Sequence, residues 1–267
     1  MAGTALEAIM TLAHLAHPDD AANSSSDKLL TVMEMIAATK GCSLTDVVER
    51  SGLPFSTVHR ITGQLIERGY IVRLRRGQYR IGPAALALGR NSSLRSLLEE
   101  VGRTLLGDLA RACRAHVHLG VFEDDMVTYL ANASYGRNDF RVNEGLQLEA
   151  YCSGVGKVLL AHLPDAAREN YLSQGEFVAL TPNTIIDREA LAGELDLIRQ
   201  RGWGTDLEEV EPDLRCIAVP VYDRDNAVLA AISASVRDRQ GSLDAVLRLL
   251  PELRKTADTL SARLFPI

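Results

Sequence analysis

Five polar side chains crowd into nine residues of the chain: Ser56, Thr57, His59, Arg60 and Gln64. Hydroxyls can bond phosphate oxygens, and Arg and Gln can reach base edges in a major groove. Arg75 and Arg76 follow within a short distance. The surrounding stretch also holds Arg68, Arg73 and Arg80, against a single acid, Glu67. A second group is more dispersed. Ser233 and Ser235 sit two apart, Cys216 lies upstream, and Asp206 follows "GWGT". Together with backbone amides near Ser153–Gly156, such groups can hold a small carboxylate. The same residues also fit packed strands with Asp206 capping a turn.

The elements that must carry these groups follow from periodicity. Residues 29–36 place apolar side chains around a broad helical face. Ser43 and Asp46 have capping-box spacing, and Gly52 suits the end of that short helix. Pro54 opens a helix over 54–68, with Val58, Ile61, Leu65 and Ile66 on one face. The polar set at 56–64 takes the other face. Strands "YIVRL" and "QYRIG", joined at "RRG", complete a winged helix-turn-helix whose tip carries Arg75 and Arg76. The rival reading is a helical hairpin that docks a protein.

Charge agrees with the first reading. The chain of 267 residues is acidic, net −6, yet residues 27–90 carry +5 and residues 91–267 carry −8. A basic domain on a larger acidic one points to nucleic acid. The absence of a long apolar run or a basic leader, and four scattered cysteines, predict a cytoplasmic protein with free thiols.

The order of the remaining elements predicts an α+β fold. Residues 84–93 read as a linker helix, with a polar break at Asn91-Ser92-Ser93, and a helix over 94–113 opens the next domain. Hairpins over 116–134 and 215–236 turn at Glu123–Asp125 and Asp223–Asn226. Helices are expected at "SGVGKVLLAHL", at "DREALAGELDLIRQRGW" and at the end, where Pro251 kinks the helix or starts a new turn. Strand alternation sets Ser233 and Ser235 on one side, opposite Ile232 and Ala234.

Other chemistries find little support. His116 and His118 share a strand face, but no Cys or acid stands at a metal-ligand spacing beside them, so no metal is expected. Cys152 and Cys216 lack a nucleophile motif, so no catalytic residue is assigned and the chain is not read as an enzyme. No phosphate-loop signature occurs, and no cofactor is expected.

Two stretches resemble a known family. "LPFSTVHRITGQLIERGYIVR" and "GQYRIGPAALALG" are similar to the DNA-binding domain of IclR-type bacterial transcription regulators. "EAYCSGVGKVLLAHLP" and "RGWGTDLEEVEPDLRCIAVPVYDRDNAVLAAISAS" resemble the two signature blocks of that family's GAF-like effector domain. The resemblance covers about 27–263 and leaves residues 1–26 outside it; the pattern of elements divides the chain into a tail over 1–26, a winged helix-turn-helix over 27–83, a linker over 84–93 and an effector domain over 94–267. The resemblance implies operator contacts at Ser56, Thr57, His59 and Arg60. Helix-turn-helix docking in successive grooves calls for a homodimer or dimer of dimers. The resemblance also implies a small organic acid held by Leu148, Gly154, Val155, Asp206, Leu214, Cys216, Ser233 and Ser235. Where the family commonly has "LPLHA", this chain continues after Leu148 with Glu149, Ala150 and Tyr151. Tyr151 would add an aromatic wall, which favours an aromatic acid, unless Glu149 points inward and repels a carboxylate.

Overall fold

The computed structural model describes residues 24–136, 143–237 and 243–266. The tail at 1–26 lies almost wholly outside the described residues. The chain divides at Ser93 and Leu94 into two compact units.

The first unit begins with α1 (Ser25–Ala37), four residues ahead of the apolar run that marks it. The reason is local: Ser24 accepts from the Asp27 amide at 3.0 Å while Asp27 accepts from the Ser24 amide at 3.3 Å. The same box, Ser43 with Asp46, starts α2 (Leu44–Ser51), and Gly52 ends it at φ 66°. Pro54 stands just outside α3 (Phe55–Glu67), whose Val58, Ile61 and Leu65 are buried. Strands β1 (Ile71–Arg73) and β2 (Tyr79–Ile81) pair antiparallel, with Ile71 opposite Ile81. They are shorter than the sequence pattern suggests. Residues Arg75–Gly77 close the tip as a 3-10 turn, sealed by the Leu74 amide on Gln78 O at 2.7 Å. One apolar core joins these pieces through Val32, Ile36, Val47, Val58, Ile61, Ile71 and Tyr79. Then α4 (Pro83–Leu88) runs to the polar break, so no single helix crosses the boundary.

The second unit opens with α5 (Leu94–Cys113). It is followed by β3 (His116–Glu123), β4 (Met126–Ser134), β5 (Gln147–Glu149), α6 (Gly154–Ala161), α7 (Asp165–Gln174) and α8 (Arg188–Arg201). Strands β6 (Gly204–Leu207), β7 (Leu214–Tyr222) and β8 (Val228–Arg237) come next. The closing helix is broken rather than kinked: α9 (Leu243–Leu247) ends early, and Pro251 sits in the first turn of α10 (Leu250–Leu264). The sheet runs β5-β4-β3-β8-β7-β6, antiparallel throughout.

Strand alternation gives this sheet two apolar faces. Val117, Leu119, Ile217, Val219 and Ile232 pack with Leu98, Leu106, Leu253 and Leu260 of α5 and α10. Val127, Tyr129, Ala218 and Ala231 pack on the other side with Val155, Leu159, Leu191 and Leu195. The second face matters for the site, because α6 packs on it, with Val155, Val158, Leu159 and Leu160 in the core there. Gly156 is what lets α6 in: a Cβ there would lie 2.2 Å from Ala150 O and 2.4 Å from Ala150 Cα. Both are backbone atoms and cannot swing away. Gly156→Ala should therefore lower stability by about 3 kcal/mol, read as an earlier urea midpoint of the full chain with an unchanged slope.

Candidate functional site

Each unit carries one candidate site. On α3, Ser56, His59, Arg60 and Gln64 are exposed and Thr57 is half-buried. The buried side of the helix packs into the core, and among the described residues this polar stripe stays on the surface. Arg60 Nη1 reaches Gln64 Oε1 at only 3.4 Å, a weak tie that leaves both groups available. Arg75 is exposed at the wing tip; the side chain of Arg76 lies outside the described residues. Phe55, which the residue types did not single out for contact, is 56% exposed at the start of the same helix.

In the second unit the dispersed groups converge. A cavity of about 160 Å³ is lined by Leu148 of β5, Gly154 and Val155 of α6, Asp206 of β6, Leu214 and Cys216 of β7, and Ser233 and Ser235 of β8. Register explains the convergence. Cys216 pairs with Ser235 on one side and Asp206 on the other. These three side chains stand in a row beneath the first turn of α6. Cys216 Sγ and Ser235 Oγ are 2.9 Å apart. Ser153 caps α6 by accepting the Gly156 amide at 3.0 Å. The amides of Gly154 and Val155 fall outside the intrahelical ladder.

Tyr151 does not join this wall. Its hydroxyl donates to Val178 O at 2.7 Å and accepts from the Val178 amide at 3.1 Å, and its ring lies 4.9 Å from Phe177. The turn over 150–152 aims it away from the cavity. The aromatic side of the cavity is instead Tyr129, with His118 edge-on to it at 5.3 Å. Glu149 is exposed and lies outside the lining. His118 and Tyr129 went unassigned because both types pack readily in cores. Only the sheet order sets His118 opposite Ser233.

The electrostatics of the cavity are set by burial. Among the described lining residues there is no Lys or Arg. Burial depresses His118 to about 4, which leaves its imidazole neutral. Burial pushes the Cys216 thiol well up, so it stays protonated. Burial also pushes the Asp206 carboxyl up to about 7, opposed by the Glu209 amide at 2.7 Å and the Val210 amide at 3.4 Å on Oδ1. Near neutrality Asp206 can therefore carry a proton and donate it.

Beside the cavity lies a buried ion pair. Lys157 Nζ donates to Glu209 Oε1, and both side chains are almost wholly enclosed. Burial raises the Glu209 carboxyl against the pull of the Lys157 ammonium. Lys157 stands on α6 just past the cavity amides, while the Glu209 amide holds Asp206. The pair therefore clamps the helix to the segment that positions the carboxyl.

A winged helix-turn-helix followed by a small-ligand domain defines a class: ligand-responsive DNA-binding regulators. Two family patterns match, "IclR helix-turn-helix domain" over residues 25–75 and "Bacterial transcriptional regulator IclR C-terminal" over residues 92–262. The HTH-type transcriptional regulator BhcR of Paracoccus denitrificans is 33% identical over 212 residues, covering 78% of this chain and 76% of its own. A structure of an IclR homolog from Microbacterium hydrocarbonoxydans, complexed with 4-hydroxybenzoate, superposes with a TM-score of 0.59. It is 26% identical and covers 90% of this chain and 99% of that one. The chain belongs to the IclR family of bacterial transcriptional regulators. Its relatives are named as regulators, not enzymes, and no described helix is long and apolar enough to cross a membrane.

Removing one partner of a buried pair strands the other charge. Lys157→Met should cost about 3–5 kcal/mol, and adding Glu209→Leu should recover much of it; paired urea titrations measure the difference.

Proposed function

We propose that this chain is a homodimeric regulator whose operator binding responds to a small aromatic carboxylic acid in the cavity under α6. Residues 27–83 bind DNA, 84–93 link, and 94–267 bind the acid. Ser56, Thr57, His59, Arg60, Gln64, Arg75 and Arg76 face the duplex. Two such helices, related by a dimer axis, enter successive major grooves about 34 Å apart. The acid shifts the population of operator-competent dimers through unequal affinity for the two states.

The size and lining of the cavity carry the reading. A cavity near 150 Å³ accommodates one benzene ring, and this one measures about 160 Å³ with an aromatic side and a hydroxyl row. The relative crystallised with 4-hydroxybenzoate supports the ligand class. With no cation in the described wall, the carboxylate is met by the α6 amides, by Ser233 and Ser235, and by the proton on Asp206. An ionised Asp206 would repel it.

Binding then takes up a proton. Affinity for 4-hydroxybenzoate should be flat below pH about 7, where Asp206 is protonated, and fall as pH rises above it, by about tenfold per unit. Calorimetric titrations from pH 6 to 9 measure this; affinity that holds constant to pH 9 contradicts the proton-sharing geometry, and no binding by any small aromatic acid contradicts the ligand class.

On the DNA side, Arg60→Ala should weaken binding to the selected operator about tenfold or more while leaving acid affinity intact. Gel shifts across a salt series check it, and full-strength selective binding by the variant overturns the assignment of α3.

A further inference from the structure

Among the described residues, Phe55 takes no part in the core of its own unit. It opens α3, is 56% exposed, and stands outside the core that takes Val58, Ile61 and Leu65 from the same helix. Its ring is stacked on His59 one turn later, with centroids 6.1 Å apart and planes 29° from parallel. The two rings make an apolar step on a face otherwise built from Ser56, Arg60 and Gln64. Such a step left in water gains nothing from folding, since the burial of an aromatic ring is what makes it stabilising.

The place of that step narrows what can cover it. In helix-turn-helix proteins the first residues of the recognition helix meet base edges. Phe55 is the first residue of α3. Ser56 and Thr57 beside it offer hydroxyls for phosphates. Further along, the Cβ position of Gly63 looks into open space, so a groove wall can approach there without a side chain in the way. A phenyl ring has no donor or acceptor with which to read the polar edges of the bases. One base alone presents an apolar group in the major groove, the C5 methyl of thymine.

We propose that Phe55 is a specificity residue that selects a thymine in each half-site by packing its ring on that methyl, with His59 backing the ring. The proposal rests on the reading of α3 as the recognition helix. It differs from the hydrogen-bonding roles of Arg60 and Gln64, since it needs no polar contact.

Selection from random duplexes, run in parallel with the full chain and with Phe55→Ala, tests it. The expected result is one shared site in which a single position per half-site changes from thymine to any base in the variant. Replacing that thymine by deoxyuridine removes only the methyl. Wild-type affinity should then fall about fourfold, Phe55→Ala affinity should not change, and Phe55→Leu should restore most of the preference. Equal wild-type affinity for the thymine and deoxyuridine duplexes overturns the proposal, as does a uniform loss by Phe55→Ala on every sequence. A wild-type chain that selects no sequence refutes the recognition-helix reading itself; a defined site without thymine dependence refutes only the role of Phe55.

Discussion

The second unit is organised around one carboxyl removed from water. Asp206 is 1% exposed, on an edge strand, under the first turn of a helix. Burying an ionised carboxylate is costly, so the group either finds compensating donors or keeps its proton. Here two amides compensate only in part, and the carboxyl settles near the middle of the physiological range. A site with that property can switch from proton donor to repelling anion with little change in shape. Its protonation state follows from the balance between burial and those two amides.

Several other features maintain the balance. Gly156 admits α6 close to the Ala150 backbone. The Lys157–Glu209 pair fixes the helix to the segment whose amides hold Asp206. Thr181 and Thr184 hydroxyls donate to the Glu208 and Glu209 carbonyls, at 2.6 and 2.7 Å, and tie the same segment down from outside. A buried ion pair adds little net stability on its own. Its use here is geometric, since it ties α6 to the segment whose amides hold Asp206.

Much of this was legible in the residues, and the reasons differ by element. The span of α5 follows from Leu94, Leu97, Leu98, Val101, Leu105, Leu106 and Leu109, which recur at helical spacing after a polar break. Both ends of α2 follow from Ser43 with Asp46 and from Gly52. Eight of the nine residues assigned to ligand binding line one cavity; strand alternation made Ser233 and Ser235 predictable, while Leu148, Val155 and Leu214 came from the family resemblance alone. Tyr151 failed for the complementary reason: it lies in a turn, where no period says which way a side chain points. Strands β5 and β6 went unread because three or four residues, rich in Gly, Gln, Asp and Glu, show no alternation. Helix α7 is largely polar and was missed likewise. Phe55 was visible as a residue type; its exposure was not.

The two units show opposite uses of the same economy. In the first, the core takes one face of α3 and leaves the polar stripe with Phe55 outside. In the second, the sheet and α6 enclose polar groups that would otherwise be hydrated. The enclosure of Asp206 is the central claim, and the ¹³C carboxyl shift of labelled aspartate, assigned by loss of its signal in Asp206→Asn, tests it without any ligand. The account predicts titration at about pH 7; a midpoint near 4, the value of an aspartate in water, would contradict it.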